Sequence, residues 1–135
     1  MPYSRLFYHL VWATRDREPL IHPELEAEMW RLVRQAAERA NVMVYAVGGM
    51  PNHVHVAASI PPAMAVAEAV GRIKGGSSHA INQITGGGFA WQAEYGVVSF
   101  SERKLPMVLV YIREQKRHHN DQSLWPGLEW IAEPE

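Results

Sequence analysis

The apolar residues recur with a period of about two in some segments of the chain and of about 3.6 in others. The order of these segments predicts seven secondary-structure elements. Runs rich in β-branched and aromatic residues predict strands. They lie at Arg5–Thr14, Val42–Val47, His53–Ile60 and Tyr95–Ser101, with Phe89–Gln92 leading into the last. Apolar residues spaced by three and four predict helices. These span about 22–40, about 63–84 and about 103–118, and the second helix is expected to be interrupted or loosened at Gly75–Gly76.

The element order β-α-β-β-α-β-α is typical of an α+β fold, the ferredoxin-like split β-α-β sandwich. We expect a four-stranded antiparallel sheet with helices on one face, followed by one additional C-terminal helix. In this topology the first and third strands form the central pair. The chain of 135 residues is interpreted as a single domain, with an acidic tail from about residue 120 to residue 135.

Composition limits the kinds of site and the cellular compartment that we expect for the protein. Cysteine is absent, which excludes disulfides and thiolate metal sites. The sequence shows neither a signal-peptide pattern nor a long uninterrupted apolar run, so we expect a soluble cytoplasmic protein without a membrane partner. The formal net charge is −1, yet Ser101–His119 carries five Lys or Arg against two Glu. The near-neutral net charge thus gives no support for nucleic-acid binding, but it leaves room for a local basic patch.

The most informative motif is the pair His53 and His55, which follows the turn residues Pro51 and Asn52. Alternate residues of a strand share a face, so the two imidazoles should stand side by side, about 7 Å apart along the strand. Two neutral imidazoles on a rigid strand need only one or two further ligands to bind a divalent cation. The alternative is a pair of hydrogen-bonded or half-exposed strand histidines without a ligand.

The last predicted helix offers further candidate ligands and a candidate nucleophile. Tyr111 and Gln115 are separated by four positions and can reach a common point. If that point is the cation, Gln115 adds an oxygen ligand and Tyr111 places a phenol beside the group that the cation polarises. The alternative is that Tyr111 packs over the core and Gln115 is solvated. His118 and His119 are either additional contacts or polar residues at a helix end.

Five segments together resemble the single-tyrosine HUH transposases, the insertion-sequence transposases of the IS200 type and their relatives that act on repetitive extragenic palindromes (REP). The segments are Tyr8–Thr14, Met50–His55, Lys74–Ser78, Trp91–Gly96 and Tyr111–His119. The resemblance covers nearly the whole chain. It implies the same ferredoxin-like fold that the periodicity predicts.

The resemblance implies that His53, His55 and Gln115 bind a divalent cation, Mg²⁺ or Mn²⁺. It also implies that Tyr111 attacks single-stranded DNA beside a hairpin, which gives a 5′-phosphotyrosine link and a free 3′-hydroxyl. Because the link conserves the phosphoester, a DNA hydroxyl can reverse it, so rejoining needs no nucleotide cofactor. Members of the family work as homodimers, often with the tyrosine helix of one subunit completing the histidine site of the other, and we expect the same here. The sequence itself does not distinguish this arrangement from one in which Tyr111 serves the histidines of its own chain.

Basic residues near these motifs are candidates for DNA phosphate contacts, although each could equally be an ordinary solvated side chain. They are Arg72, Lys74, Arg103, Lys104, Arg113, Lys116 and Arg117. Three other functions stay open: a domesticated endonuclease that cuts at chromosomal palindromic repeats, a non-catalytic ferredoxin-like module that binds nucleic acid, and a two-histidine metallohydrolase. The hydrolase is disfavoured because the sequence near the histidine motif offers no carboxylate as a base.

Overall fold

The computed structural model describes residues 4–121 and residue 129, except for the side chains of residues 118, 120 and 121. Most of the predicted acidic tail therefore lies outside the described residues. The strands are β1 (Phe7–Ala13), β2 (Met43–Met50), β3 (His53–Ser59) and β4 (Gly96–Phe100). The helices are α1 (Glu26–Arg39), α2 (Val66–Thr85), α3 (Leu105–Arg113) and α4 (Gln115–Asp121), with short 3-10 turns at Arg15–Arg17, Pro23–Leu25 and Glu102–Lys104.

The four strands form one antiparallel sheet in the order β2-β3-β1-β4. The predicted fold class and the predicted central pair, β1 and β3, are both confirmed. In the register of that pair, Leu10 lies opposite Val56 and Val11 lies opposite His55. A strand flanked on both sides has its backbone hydrogen bonds satisfied by two neighbours, so side chains on β3 are held firmly.

The two faces of the sheet are covered by different helices. Leu10, Trp12, Val54 and Val56 point to the face that packs against α1 and α2, and all four are buried. On the opposite face a smaller apolar cluster joins β2 and β3 to α3. It consists of Ala46, Ala57, Val108 and Ile112. Strand alternation then places His9, His53 and His55 on the α3 side.

The close approach of α3 to the sheet depends on a glycine in β2. A Cβ added at Gly48 would lie 2.3 Å from the backbone oxygen of Ile112. No side chain fits at that distance, so glycine lets the helix backbone rest directly on the strand. Since Gly48 also lies opposite His55 in the β2–β3 register, this contact brings α3 over the histidines.

The structure corrects three details of the predicted helices. The first helix begins at Glu26, because Pro23–Leu25 forms a separate 3-10 turn. The second runs without a break through Gly75–Gly76, so the predicted interruption is wrong. At Gly76 an added Cβ would lie 3.0 Å from the Ala36 Cβ of α1, which shows that the glycine permits close helix packing. The predicted last helix is divided at Glu114 into α3 and α4.

No helix among the described residues combines the length and apolar character needed to cross a bilayer. The helices instead bury one stripe each. In α1 the buried residues are Met29, Leu32, Val33, Ala36 and Ala37. This amphipathic pattern suits a helix that packs on a sheet and exposes its other side.

Candidate metal centre and nucleophile

The two histidines of β3 lie side by side and are almost completely buried. His53 is 5% exposed and His55 is 0% exposed, and their ring centroids are 5.0 Å apart. The arrangement follows from strand alternation, as the sequence predicts, and from the cover that α3 provides. Of the alternative interpretation, half-exposed histidines are wrong, whereas hydrogen-bonded histidines without a ligand stay open because both rings have a polar partner.

Each ring has a polar partner at Nδ1. His55 Nδ1 lies 2.8 Å from Nε2 of His9, a fully buried residue of β1. His53 Nδ1 lies 2.7 Å from Oδ1 of Asn52. The two Nε2 atoms are buried and make no hydrogen bond of ordinary geometry to the described residues. Both rings thus turn Nε2 towards the same space.

A carboxylate that sequence reasoning missed lies in that space. Glu129 Oε1 is 3.3 Å from His55 Nε2, 3.6 Å from His53 Nε2 and 3.6 Å from His119 Nε2. The other carboxylate oxygen, Oε2, accepts a hydrogen bond from the Tyr111 hydroxyl. The statement that no carboxylate lies near the histidine motif is therefore wrong, because distance along the sequence hid this contact.

Burial controls the protonation of this cluster. Burial first, and then the neighbouring His55, lower the pKa of His53 to about 3, while Glu129 opposes the shift. Burial likewise lowers the pKa of His9 to about 3. Burial by itself would raise the pKa of Glu129, but hydrogen bonds and charge from His55, together with the Tyr111 hydroxyl, lower that pKa to about 2. At neutral pH His53 and His9 are therefore neutral and Glu129 is anionic.

Tyr111 and Gln115 lie against the same cluster. Tyr111 is 1% exposed, and its ring meets the His55 ring edge-on at a centroid distance of 6.0 Å. Gln115 is 2% exposed, so the alternative of a solvated glutamine is wrong. Its Nε2 donates to the backbone oxygen of Tyr111 at 3.2 Å, which preserves the four-residue relation across the break at Glu114. Gln115 also raises the pKa of His53, although its Oε1 makes no hydrogen bond of ordinary geometry.

The donor set fits a divalent cation. One ligand atom from each of His53, His55 and Glu129 lies within 4.8 Å of the others. Imidazole nitrogens and a carboxylate oxygen suit Mn²⁺ and Zn²⁺, and a glutamine oxygen adds a hard ligand that Mg²⁺ also accepts. The two buried Nε2 atoms have long contacts with Glu129 Oε1 but no hydrogen bond of ordinary geometry to the described residues, and a cation would satisfy both.

A family model described as "Transposase IS200 like" matches residues 2–115, which include the two histidines, Tyr111 and Gln115. The chain belongs to the IS200-like transposase family. The match ends before Glu129, so the carboxylate in the cluster lies outside the matched residues.

Individual relatives agree with this assignment. The chain is 26% identical over 118 residues to the ISDra2 transposase TnpA of Deinococcus radiodurans, which covers 82% of this chain and 84% of that protein. Over 71 residues it is 31% identical to the IS200 transposase of Salmonella typhimurium, covering 53% of this chain and 47% of that protein.

Two solved structures share the fold of this IS200-like transposase. A crystal structure of a Deinococcus radiodurans protein described as a transposase superimposes with a TM-score of 0.68 at 25% identity, over 85% of this chain and 95% of that one. A REP-associated tyrosine transposase, bound in its structure to a REP hairpin, superimposes with a TM-score of 0.62 at 17% identity, over 88% of this chain and 74% of that one.

The predicted DNA-contact residues do not form one patch around the histidines. Arg113, Lys116 and Arg117 lie near the break between α3 and α4 and line a cavity of about 350 Å³. Arg72 lies on the other side of the sheet, where it lines a cavity between α1 and α2. Arg103 and Lys104 are exposed in the turn before α3.

Lys74 has a structural role that the sequence did not indicate. Its ammonium donates to the backbone oxygens of Gln92, Ala93 and Glu94 at 2.5, 3.1 and 3.2 Å. Burial lowers its pKa, and Glu94 opposes the shift. A phosphate contact by Lys74 would require these bonds to break, so we assign it first to holding the loop before β4.

A larger cavity opens beside His53. Its volume is about 570 Å³, and Arg17, Asn52, His119 and Glu129 contribute to its walls. Arg17 has a left-handed backbone with φ of 56°, a conformation that non-glycine residues adopt infrequently. Strained backbone of this kind concentrates at functional sites, so the cavity is a reasonable approach for a substrate. The sequence analysis did not single out Arg17, because nothing in its position after β1 distinguishes it from other polar turn residues.

Proposed function

We propose that this IS200-like transposase cleaves and rejoins single-stranded DNA, with Tyr111 as the nucleophile and a divalent cation held by His53 and His55. One observation carries the proposal. The Glu129 carboxylate touches the Tyr111 hydroxyl with one oxygen and faces both histidine Nε2 atoms with the other. One carboxylate therefore bridges the candidate nucleophile and the candidate ligands. A phosphate group has a similar size and could bridge them in the same way.

The ligand set that we propose is His53 and His55, completed by Gln115 Oε1, by Glu129, or by both. When bound, a Mg²⁺ or Mn²⁺ ion would withdraw charge from a phosphodiester and favour loss of the phenol proton. Burial keeps His53 neutral, the form that donates a lone pair to a cation. The bond from Gln115 to the Tyr111 backbone fixes the glutamine relative to the nucleophile.

In the proposed reaction the Tyr111 oxygen attacks phosphorus and displaces the 3′-oxygen of the preceding nucleotide. The phenol loses its proton, and the leaving oxygen gains one as a 3′-hydroxyl. The new Tyr–O–P bond replaces the broken P–O bond, so attack by a DNA hydroxyl on the phosphotyrosine restores the strand. The phenol needs a nearby cation to favour loss of its proton, because an ordinary phenol pKa near 10 keeps it protonated at neutral pH.

We propose single-stranded DNA with a hairpin as the substrate. The fold is that of a REP-associated transposase bound to a REP hairpin, and the basic residues near the α3–α4 break could contact phosphates. We also propose a homodimer, as the family resemblance implies. Within one chain Tyr111 lies beside its own His55, which supports a dimer in which each subunit supplies both the tyrosine and the histidines of its site.

Glu129 gives the metallohydrolase a candidate base that the sequence did not reveal. In that second function, Glu129 would take a proton from water, and Tyr111 would only orient the carboxylate. Substitutions at the two positions separate the alternatives. The transposase mechanism loses covalent cleavage without the Tyr111 hydroxyl, whereas a hydrolase retains cleavage in Tyr111→Phe and loses it in Glu129→Gln.

The test uses end-labelled single-stranded oligonucleotides with imperfect palindromes, incubated with Mn²⁺ or Mg²⁺ or with a chelator and resolved on a denaturing gel. We expect a protein-linked DNA band with the wild type that needs the cation and falls at least about 1,000-fold in Tyr111→Phe. Tyr95→Phe, which changes a half-buried tyrosine of the main core, is the matched control and should retain the band.

Two results would contradict the proposal. Cation-dependent cleavage that persists in Tyr111→Phe and disappears in Glu129→Gln would favour the hydrolase. Binding of hairpin DNA without cleavage, on substrates taken from both sequences flanking the gene, would favour the non-catalytic module. Cleavage only at chromosomal repeats, and not at the sequences flanking the gene, would identify the domesticated endonuclease.

A further inference from the structure

Both candidate ligands have a hydrogen-bond partner on the ring nitrogen that faces away from the candidate cation position. His55 Nδ1 is 2.8 Å from His9 Nε2, and His53 Nδ1 is 2.7 Å from Asn52 Oδ1. The partners come from different places in the chain. His9 lies on β1, 46 positions from His55, whereas Asn52 is the residue directly before His53.

The chemistry of imidazole fixes the direction of these bonds when a cation is bound. A neutral ring that ligates through Nε2 carries its single proton on Nδ1. That proton must then be donated to an acceptor. Asn52 Oδ1 can only accept, and His9 Nε2 accepts when the proton of His9 is on its own Nδ1.

We propose that His9 and Asn52 are positioning residues, which accept the Nδ1 protons of His55 and His53 and hold both Nε2 lone pairs towards one cation. This inference rests on the metal site of the proposed function and extends it to the residues behind the ligands. Partners of this kind set the tautomer and the ring orientation of ligating histidines.

The environment of His9 favours this role over a purely structural one. Its side chain is 0% exposed, and its Nδ1 has no hydrogen-bond partner within the part of the chain that the structure describes. An apolar side chain would fill the same position without an unsatisfied polar atom. The bond to His55 is thus the only polar contact that the described residues offer this imidazole.

The opposite tautomers of His9 and His55 would place their protons differently. If His9 Nε2 donated to His55 Nδ1, the proton of His55 would lie on Nε2 and face Glu129 Oε1 at 3.3 Å. A protonated Nε2 cannot bind a cation. Cation binding therefore requires that the proton shared by His9 and His55 belong to His55.

The first measurement is Mn²⁺ affinity by isothermal titration calorimetry of the full chain. In His9→Leu and in Asn52→Leu we expect Kd to rise about 10- to 100-fold. His9→Gln, whose amide reaches the position of Nε2, and Asn52→Asp, which keeps the acceptor oxygen, should bind within about threefold of the wild type. Leu10→Val is the matched control, because Leu10 is equally buried but points to the opposite face.

The second measurement reads the tautomers directly, from long-range ¹H–¹⁵N spectra of the wild type loaded with diamagnetic Zn²⁺. Protonated Nδ1 on both His53 and His55 supports the inference, and protonated Nε2 on His55 overturns it. This result does not depend on whether any variant folds.

The calorimetry separates this inference from the function on which it rests. Wild-type affinity in both leucine variants rejects the positioning roles and leaves the metal site intact. An equal loss in His9→Leu and His9→Gln also rejects them, because the acceptor then makes no difference. Failure of the wild type to bind Mn²⁺ rejects the metal site and the positioning roles together.

Discussion

The two faces of the sheet contrast sharply, although the same two strands supply both. Towards α1 and α2 the central strands present Leu10, Trp12, Val54 and Val56, which pack into the main apolar core. Towards α3 they present His9, His53 and His55, and the nitrogens of these rings are incompletely hydrogen-bonded. Alternation along a strand thus lets one element serve stability on one side and chemistry on the other.

The difference has an energetic meaning. Apolar burial favours folding in proportion to the area removed from water, whereas buried polar atoms without partners oppose it. Within the described residues, the α3 face has a smaller buried apolar cluster around Val108 and Ile112, against which Tyr45, Phe100 and Leu109 pack. We infer that the α1–α2 face stabilises the sheet strongly enough for the opposite face to carry an unfavourable polar cluster.

The largest expected effect comes from weakening the apolar face. Trp12→Ala removes a fully buried indole that meets Trp91 edge-on, and should lower the free energy of unfolding by about 3–5 kcal/mol. Urea denaturation measures this loss, and Mn²⁺ affinity of the folded protein should be unchanged. A loss below about 1 kcal/mol would mean that the apolar face does not dominate stability.

The next largest effect concerns the contact that closes the polar face. Gly48→Ala places a methyl group against the Ile112 backbone, so α3 must move away from β2. We expect a loss of about 1–3 kcal/mol in unfolding free energy, as for other overpacked sites, together with weaker Mn²⁺ binding and cleavage.

Gly75→Ala is the matched control for Gly48→Ala. Its added Cβ meets no atom within 4 Å, on an exposed side of α2. It should raise stability by about 0.5–1 kcal/mol through helix propensity, without affecting the site. If the two variants had the same unfolding free energy and the same Mn²⁺ affinity, the close contact at Gly48 would not be needed for stability or for the site.

Local patterns predicted much of this arrangement. The apolar run of β1 and the alternation of β3 indicated a central pair, and the His53–His55 spacing placed both rings on one face. The separation of Tyr111 and Gln115 by one helical turn also located them together, despite the break at Glu114. In each case the relevant geometry spans only a few residues, which a periodic pattern can express.

Contacts between distant segments were not predictable in the same way. Glu129 reaches the histidines from 74 or more positions away, and the composition of the tail indicated only an acidic segment. His9 meets His55 because the β1–β3 register sets Val11 opposite His55 and leaves His9 diagonal to it. The topology predicted the neighbouring strands, but the register that brings these side chains together required the structure.

Acid should weaken the fold mainly through the polar face. The pKa of His9 and of His53 is about 3 in the folded protein and near 6.5 when unfolded, so the unfolded chain binds more protons between these values. Stability is therefore greatest above pH 6.5 and falls as the pH is lowered towards 3. The pKa of Glu129 is about 2 in the folded protein and 4.5 when unfolded. Its contribution to stability is therefore lost only as the pH falls below about 4.5.

Between pH 7 and pH 5 we expect each of these two histidines to lower the unfolding free energy by about 2 kcal/mol. Urea midpoints measured without metal, at constant ionic strength, provide the check. His53→Leu should flatten the dependence, whereas a variant of an exposed histidine, His79→Ala, should keep it. Identical slopes in the two variants would place the acid sensitivity elsewhere.

The smallest change in stability should come from removing the buried histidine pair altogether. His55→Leu alone leaves both nitrogens of His9 without partners and should cost about 1–3 kcal/mol. His9→Leu/His55→Leu removes both halves of the bond and should return unfolding free energy to within about 1 kcal/mol of the wild type, while Mn²⁺ binding stays lost. Such a recovery would show that the polar face serves ligand binding at no benefit to folding. A double variant less stable than His55→Leu would instead make the pair part of the structural core, and the contrast between the two faces would then be one of composition alone.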